Sequence, residues 1–103
     1  MSKYNAIKTE VDGYIFASRR EAARYSELRI LEKAGEIIDL ELQPQYPCTV
    51  NGKLICKYIA DFRYTSVKRG NVVIEDAKGF KTPVYRLKKK MVEAIYNIII
   101  IEV

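Results

Sequence analysis

Val72-Val73-Ile74-Glu75-Asp76-Ala77-Lys78-Gly79 is an apolar run that ends in charge. Side chains alternate along a strand, so Val72, Ile74, Asp76 and Lys78 share one face, and Val73, Glu75 and Ala77 take the other. The strand delivers a carboxylate and an amine side by side at its exit, where Gly79 lets backbone and ligand approach closely. Upstream, Tyr58-Ile59-Ala60-Asp61-Phe62 lies in a longer strand, with Asp61 facing alongside Ile59 and Arg63. If the two strands are antiparallel neighbours, Asp61 and Asp76 meet at one end of a sheet. Carboxylates that close repel unless a cation lies between them, and hard oxygen ligands of this kind suit Mg²⁺ or Mn²⁺. Such a metal polarises a phosphate and lowers the pKa of water, and Lys78 is placed to serve the attacking water or steady charge on the phosphate. A surface ion pair at a strand end would explain Asp76 and Lys78 alone. The buried strand before them, Asp61 at the matching position and the glycine after them favour a site.

The elements around this strand follow from local signals. Asp12-Gly13 is a turn leading into a short strand at 14–17. Ser18-Arg19-Arg20-Glu21 reads as a capping box that opens a helix over Arg19–Lys33, closed at Ala34-Gly35. Strands follow at 37–42, 48–50, 54–64 and 71–78, the middle pair joined by Asn51-Gly52, a strong hairpin turn. Thr82 at the N-cap and Pro83 at N1 start a second helix that runs to Tyr96. Residues 98–103 form a last strand, expected to pair parallel with an earlier one. Residues 1–10 read as a loose arm. The order β-α-β-β-β-β-α-β gives an α+β domain spanning residues 1–103, a mixed central sheet flanked by two helices.

Composition narrows the chemistry. The chain has 103 residues, 49% of them hydrophobic and 30% charged, which suits one globular domain. A net charge of +5 favours a polyanionic partner such as nucleic acid. The absence of histidine excludes a Ser-His-Asp triad, a His-metal finger and a His general base. Cys48 and Cys56 lack the spacing of a zinc site or a secreted disulfide framework. No apolar leader opens the chain, and the apolar run at 98–101 is too short to span a membrane, so a reducing, cytoplasmic setting is expected.

Several residues carry two readings. Glu21 is explained by the capping box, yet it heads the stripe Glu21, Tyr25, Leu28 and Glu32 that should face the sheet. Lys88 shares a stripe with Val84, Met91 and Ile95, beside Leu87 and Ala94. It either reaches the carboxylates or packs its stem and sends its amine to water. Lys81, Arg86, Lys89 and Lys90 form one basic face suited to phosphate contact, and Arg19, Arg20, Arg24 and Arg29 a second. The tyrosines fit core edges better than stacking platforms.

These residues resemble the PD-(D/E)XK nucleases, with Asp61 as the first acid, Asp76-Ala77-Lys78 as the tripeptide and Glu21 on an upstream helix. More closely, Phe16-x-Ser18-x-x-Glu21-Ala22 through Tyr25, Leu42-Gln43-Pro44, Tyr58-x-Ala60-Asp61-Phe62 and Glu75-Asp76-x-Lys78-Gly79 resemble a phage-encoded family of nuclease-like proteins related to Holliday-junction resolvases. Ala60 stands where the motif name has proline. The resemblance implies a restriction-endonuclease-like fold and a bacterial host cell. It implies Asp61, Asp76, the main-chain carbonyl of Ala77 and Glu21 as metal ligands, with Lys78 on the attacking water. It also implies DNA, branched or duplex, as substrate. Symmetric cutting of a junction calls for a homodimer with two related sites. Two other readings stay open: a non-cleaving nucleic-acid-binding module, and a phage factor that binds a host protein.

Overall fold

The fold is that of a computed structural model of the chain, which describes residues 7–103. Ten elements follow one another: β1 (Thr9–Val11), β2 (Tyr14–Phe16), α1 (Arg19–Lys33), β3 (Ile37–Leu42), β4 (Gln45–Val50), β5 (Lys53–Ile59), β6 (Phe62–Ser66), β7 (Val72–Asp76), α2 (Pro83–Tyr96) and β8 (Ile100–Glu102). The class is α+β, with a mixed sheet ordered β3-β6-β7-β8 and separate hairpins β1-β2 and β4-β5. β6 runs antiparallel to both β3 and β7, and β8 joins β7 in parallel, as a return through a helix requires.

Local chemistry accounts for most boundaries. Ser18 Oγ accepts the Glu21 N–H at 3.1 Å, and Thr82 Oγ1 accepts the Tyr85 N–H at 3.0 Å, capping the two helices. Asn51 and Gly52 both take left-handed φ, at 50° and 78°, as the tight turn between β4 and β5 demands. Asp12 and Gly13 do the same between β1 and β2.

The element order departs from expectation in two places. Residues 9 and 10, read as part of a loose arm, enter β1 instead, while residues 1–6 of that arm lie outside the described residues. The single strand expected over 54–64 is broken at Ala60-Asp61. Its partner bends at the same level: Gln43 has φ 53°, and Pro44 has no N–H to give a ladder. Ala60 N–H donates to the Pro44 carbonyl at 3.1 Å and Gln43 N–H to the Asp61 carbonyl at 2.9 Å, so both chains leave the main sheet together and become the β4-β5 hairpin.

Two apolar clusters hold these parts. Phe16, Ala22, Tyr25, Leu28, Ile37, Phe62 and Tyr64 pack α1 on one face of the sheet. Tyr46, Cys48, Tyr58, Ala60, Ile74, Val92 and Ile100 form the other, which gathers α2, the β4-β5 hairpin, β7 and β8. The α2 stripe expected to face inward is displaced around the helix. Val84 and Leu87 are each 62% exposed, whereas Val92 is fully buried and Tyr85 packs beside it. The helix packs on the hairpin as well as the sheet, and that seat covers Val92 and part of Tyr85 while leaving Val84 and Leu87 outside.

Candidate active site

The bend at Ala60-Asp61 sets the site. Asp61 sits at the corner rather than inside a strand, and its Oδ2 accepts the Ala77 N–H at 2.7 Å. That bond closes the end of β7 and holds the Asp61 carboxylate against the residue after Asp76. β7 itself is fixed on both sides. Phe62 pairs with Glu75, and Asp76 pairs with Glu102, while Val103 N–H donates to the Asp76 carbonyl at 2.9 Å.

Asp76 is fully buried, and among the described residues neither of its carboxylate oxygens has a hydrogen-bond partner. The nearest counter-charge is the Lys78 ammonium, 3.7 Å from Oδ1. Burial pushes the Asp76 carboxyl up to about 6, against the pull of Lys78. Glu21, from the first turn of α1, is 5% exposed and lies beside Asp61. Burial and then the neighbouring Asp61 carboxylate push Glu21 up to about 7, while Lys78 pulls it down. Asp61 is raised too, by burial, and held back by the Ala77 N–H and Lys78. Lys78 therefore faces Glu21, Asp61 and Asp76 together, one cation among three acids.

That imbalance bears on a metal. Among the described residues, no three acidic, cysteine or histidine side chains close on one point tightly enough to enclose an ion by themselves. Asp76, with two buried oxygens that accept no hydrogen bond and only Lys78 as counter-charge, is nevertheless the kind of donor a divalent cation satisfies. The residues present fit a hard cation held by a few carboxylates with open positions left over.

The other residues singled out in the sequence scatter around this centre. Lys81 and Lys89 are not a free basic face. Lys81 Nζ lies 3.6 Å from Glu102, and Lys89 Nζ lies 3.8 Å from Glu102 and 4.0 Å from Glu93. Arg86 and Lys90 are exposed next to them. Arg19 and Arg20 are exposed at the start of α1, with Arg20 Nε 3.8 Å from where a Cβ would stand on Gly79. Arg24 leaves the basic surface to grip the buried Glu75 through Nε at 2.8 Å and Nη2 at 2.7 Å. Arg29 pairs with Glu32 and Asp12. Lys88 lines the cleft between α2 and β5, on the side of Cys48, rather than meeting the carboxylates.

Sequence reasoning missed Tyr85 and Glu102. The Lys78 ammonium lies 5.3 Å over the Tyr85 ring, and the Tyr85 hydroxyl donates to Glu102 Oε2 at 2.8 Å. Glu102 stands opposite Asp76 only because of the β7-β8 register, which no local signal sets. Glu75 was rightly placed on the face opposite Asp76, and there it meets Arg24 and the Tyr64 hydroxyl as a closed buried network.

The chain belongs to the family described as Protein of unknown function (DUF1064), whose model matches residues 1–102. No curated protein matches the chain, and no solved structure does. Among the described residues no helix is long and apolar enough to cross a membrane.

Proposed function

We propose that the chain is a metal-dependent endonuclease of the PD-(D/E)XK kind, with a restriction-endonuclease-like fold, that hydrolyses phosphodiester bonds in DNA. The observation that carries this reading is Asp76, buried beside Asp61 with neither oxygen hydrogen-bonded and with the Lys78 ammonium 3.7 Å from Oδ1. Asp61, Asp76, the Ala77 carbonyl and Glu21 would hold Mg²⁺ or Mn²⁺. When bound, the ion supplies Lewis-acid polarisation of the scissile phosphate and a lowered pKa for the attacking water.

The protein's own groups do the rest. Lys78 faces the three acids from a partly exposed position, so its ammonium orients the water and offsets charge that grows on the phosphate. The Tyr85 ring confines the Lys78 amine on its other side. Burial and Asp61 raise Glu21 to about 7 without a cation, and a bound divalent ion would hold it ionised as a ligand. Arg19, Arg20, Arg86 and Lys90 present exposed positive charge for the DNA backbone, and Lys81 and Lys89 join them if phosphate displaces Glu102. The substrate is a branched or duplex DNA, met in the cytoplasm of a bacterial cell, and the working unit is a homodimer with paired sites.

The test uses labelled four-way junction, linear duplex and single strand, each with Mg²⁺, Mn²⁺ or EDTA. Cutting that requires the metal and favours the junction is the expected result. Intact DNA in every lane, with binding retained, would leave a non-cleaving binding module as the better reading.

A further inference from the structure

A second cleft lies beside the carboxylate centre, between the first half of α2 and β5. It is an open cleft of about 330 Å³ whose walls include Lys57, Tyr58, Ile59, Val84, Tyr85 and Lys88. Its two lysines differ from those near Glu102. Among the described residues neither Lys57 nor Lys88 has an ion-pair partner, and Lys88 is half-buried. Lys57 is exposed beside it, so the two ammonium groups are free to take an anion through charge-assisted hydrogen bonds. Tyr58, 3% exposed, also has a hydroxyl with no hydrogen-bond partner among the described residues. That oxygen is itself closed off from solvent, so Tyr58 lines the cleft with the rest of its side chain and the polar contacts fall to the lysines. Ile59 and Val84, 48% and 62% exposed, add an apolar wall.

The cleft and the carboxylate centre share Tyr85. Its ring centroid is 6.4 Å from that of Tyr58 on one side, and the Lys78 ammonium is 5.3 Å from it on the other. A strand with its scissile phosphate at Lys78 would reach the cleft by passing Tyr85. The cleft's volume is at the small end of ligand pockets, roughly 300–1,000 Å³, and has no room for a duplex.

We propose that this cleft binds one unpaired nucleotide next to the cleavage point, its phosphate between Lys57 and Lys88 and its base or sugar against Ile59 and Val84. The inference rests on the nuclease reading and narrows its substrate to DNA with an unpaired nucleotide at the cut, such as a branch or an overhang.

Binding is measured in EDTA, so the outcome is independent of cutting. The full chain is titrated into a fluorescein-labelled duplex with a short single-stranded overhang and into the same duplex with blunt ends. The protein is compared with Lys57→Ala/Lys88→Ala and with Lys33→Ala/Lys68→Ala, which removes the same charge from exposed positions elsewhere. The unaltered protein should prefer the overhang about tenfold, as for one hydrogen bond to a charged group. The cleft double variant should lose that preference and about one unit of salt slope, because its two lysines share one phosphate, while the control keeps the preference. A preference that survives Lys57→Ala/Lys88→Ala, or equal binding of blunt and overhanging DNA by the unaltered protein, overturns the proposal. Metal-dependent cutting alongside either of those results would leave the nuclease reading standing without the cleft.

Discussion

Asp76 holds its proton more tightly in the folded chain than in the unfolded one, because burial lifts its carboxyl from 3.8 to about 6. Glu21 behaves alike, lifted from 4.5 to about 7 by burial and Asp61. Between those limits the folded state binds more protons at these two groups, so their contribution to stability is fullest below about pH 4 and is lost as pH rises through 6 to 7. In EDTA the urea midpoint is therefore expected to be higher at pH 5 than at pH 7.5. Asp76→Asn, which cannot ionise, should remove up to about 3 kcal/mol of that dependence. A midpoint that rises with pH over the same range would contradict the burial argument. The pair Asp76 and Lys78 was legible in sequence because alternation along one strand puts them together. Tyr85 and Glu102 were not, because they arrive from another helix and another strand through a register that only the folded sheet defines.

The bond network between α1 and β7 is a different kind of feature, closed rather than open. Glu75 is 1% exposed and is held by Arg24 and Tyr64. Removing Arg24 leaves a buried carboxylate without its cation, so Arg24→Ala is expected to cost about 2–4 kcal/mol by urea unfolding. Arg19→Ala, at an exposed position on the same helix, should change stability by about 0.5 kcal/mol or less. At the β4-β5 turn, Gly52 has φ 78° with no atom within 4 Å of an added Cβ. Gly52→Ala should cost about 1–2 kcal/mol from backbone strain alone, with no clash to relieve. Helix starts and this turn were readable because Ser18, Thr82-Pro83 and Asn51-Gly52 act within a few residues of themselves. The break at Ala60-Asp61 was not, because it depends on Gln43 and Pro44 bending the partner strand. The inward face of α2 was misjudged for a related reason: the hairpin it leans on is placed by that same bend.

The assembled chain leaves apolar surface uncovered at the edge of its main sheet. β8 is an edge strand, Ile99 just before it is 79% exposed, and Ile101 within it is 45% exposed. Unpaired apolar edges favour pairing with another chain, which agrees with the homodimer proposed for two-site cutting. Sedimentation at micromolar concentration is expected to give a dimer, and Ile99→Lys should shift it toward monomer; a monomer in both would exclude pairing at this edge. Function turns on whether the buried acids and Lys78 hydrolyse DNA, and cleavage by the unaltered chain beside Asp76→Asn tests that. On a labelled four-way junction, Mg²⁺ or Mn²⁺ should support cutting, EDTA should abolish it, and Asp76→Asn should reduce it at least about 100-fold, on the order seen when one key charge-stabilising group is removed. Cutting that survives Asp76→Asn, or that proceeds equally in EDTA, would contradict the assignment.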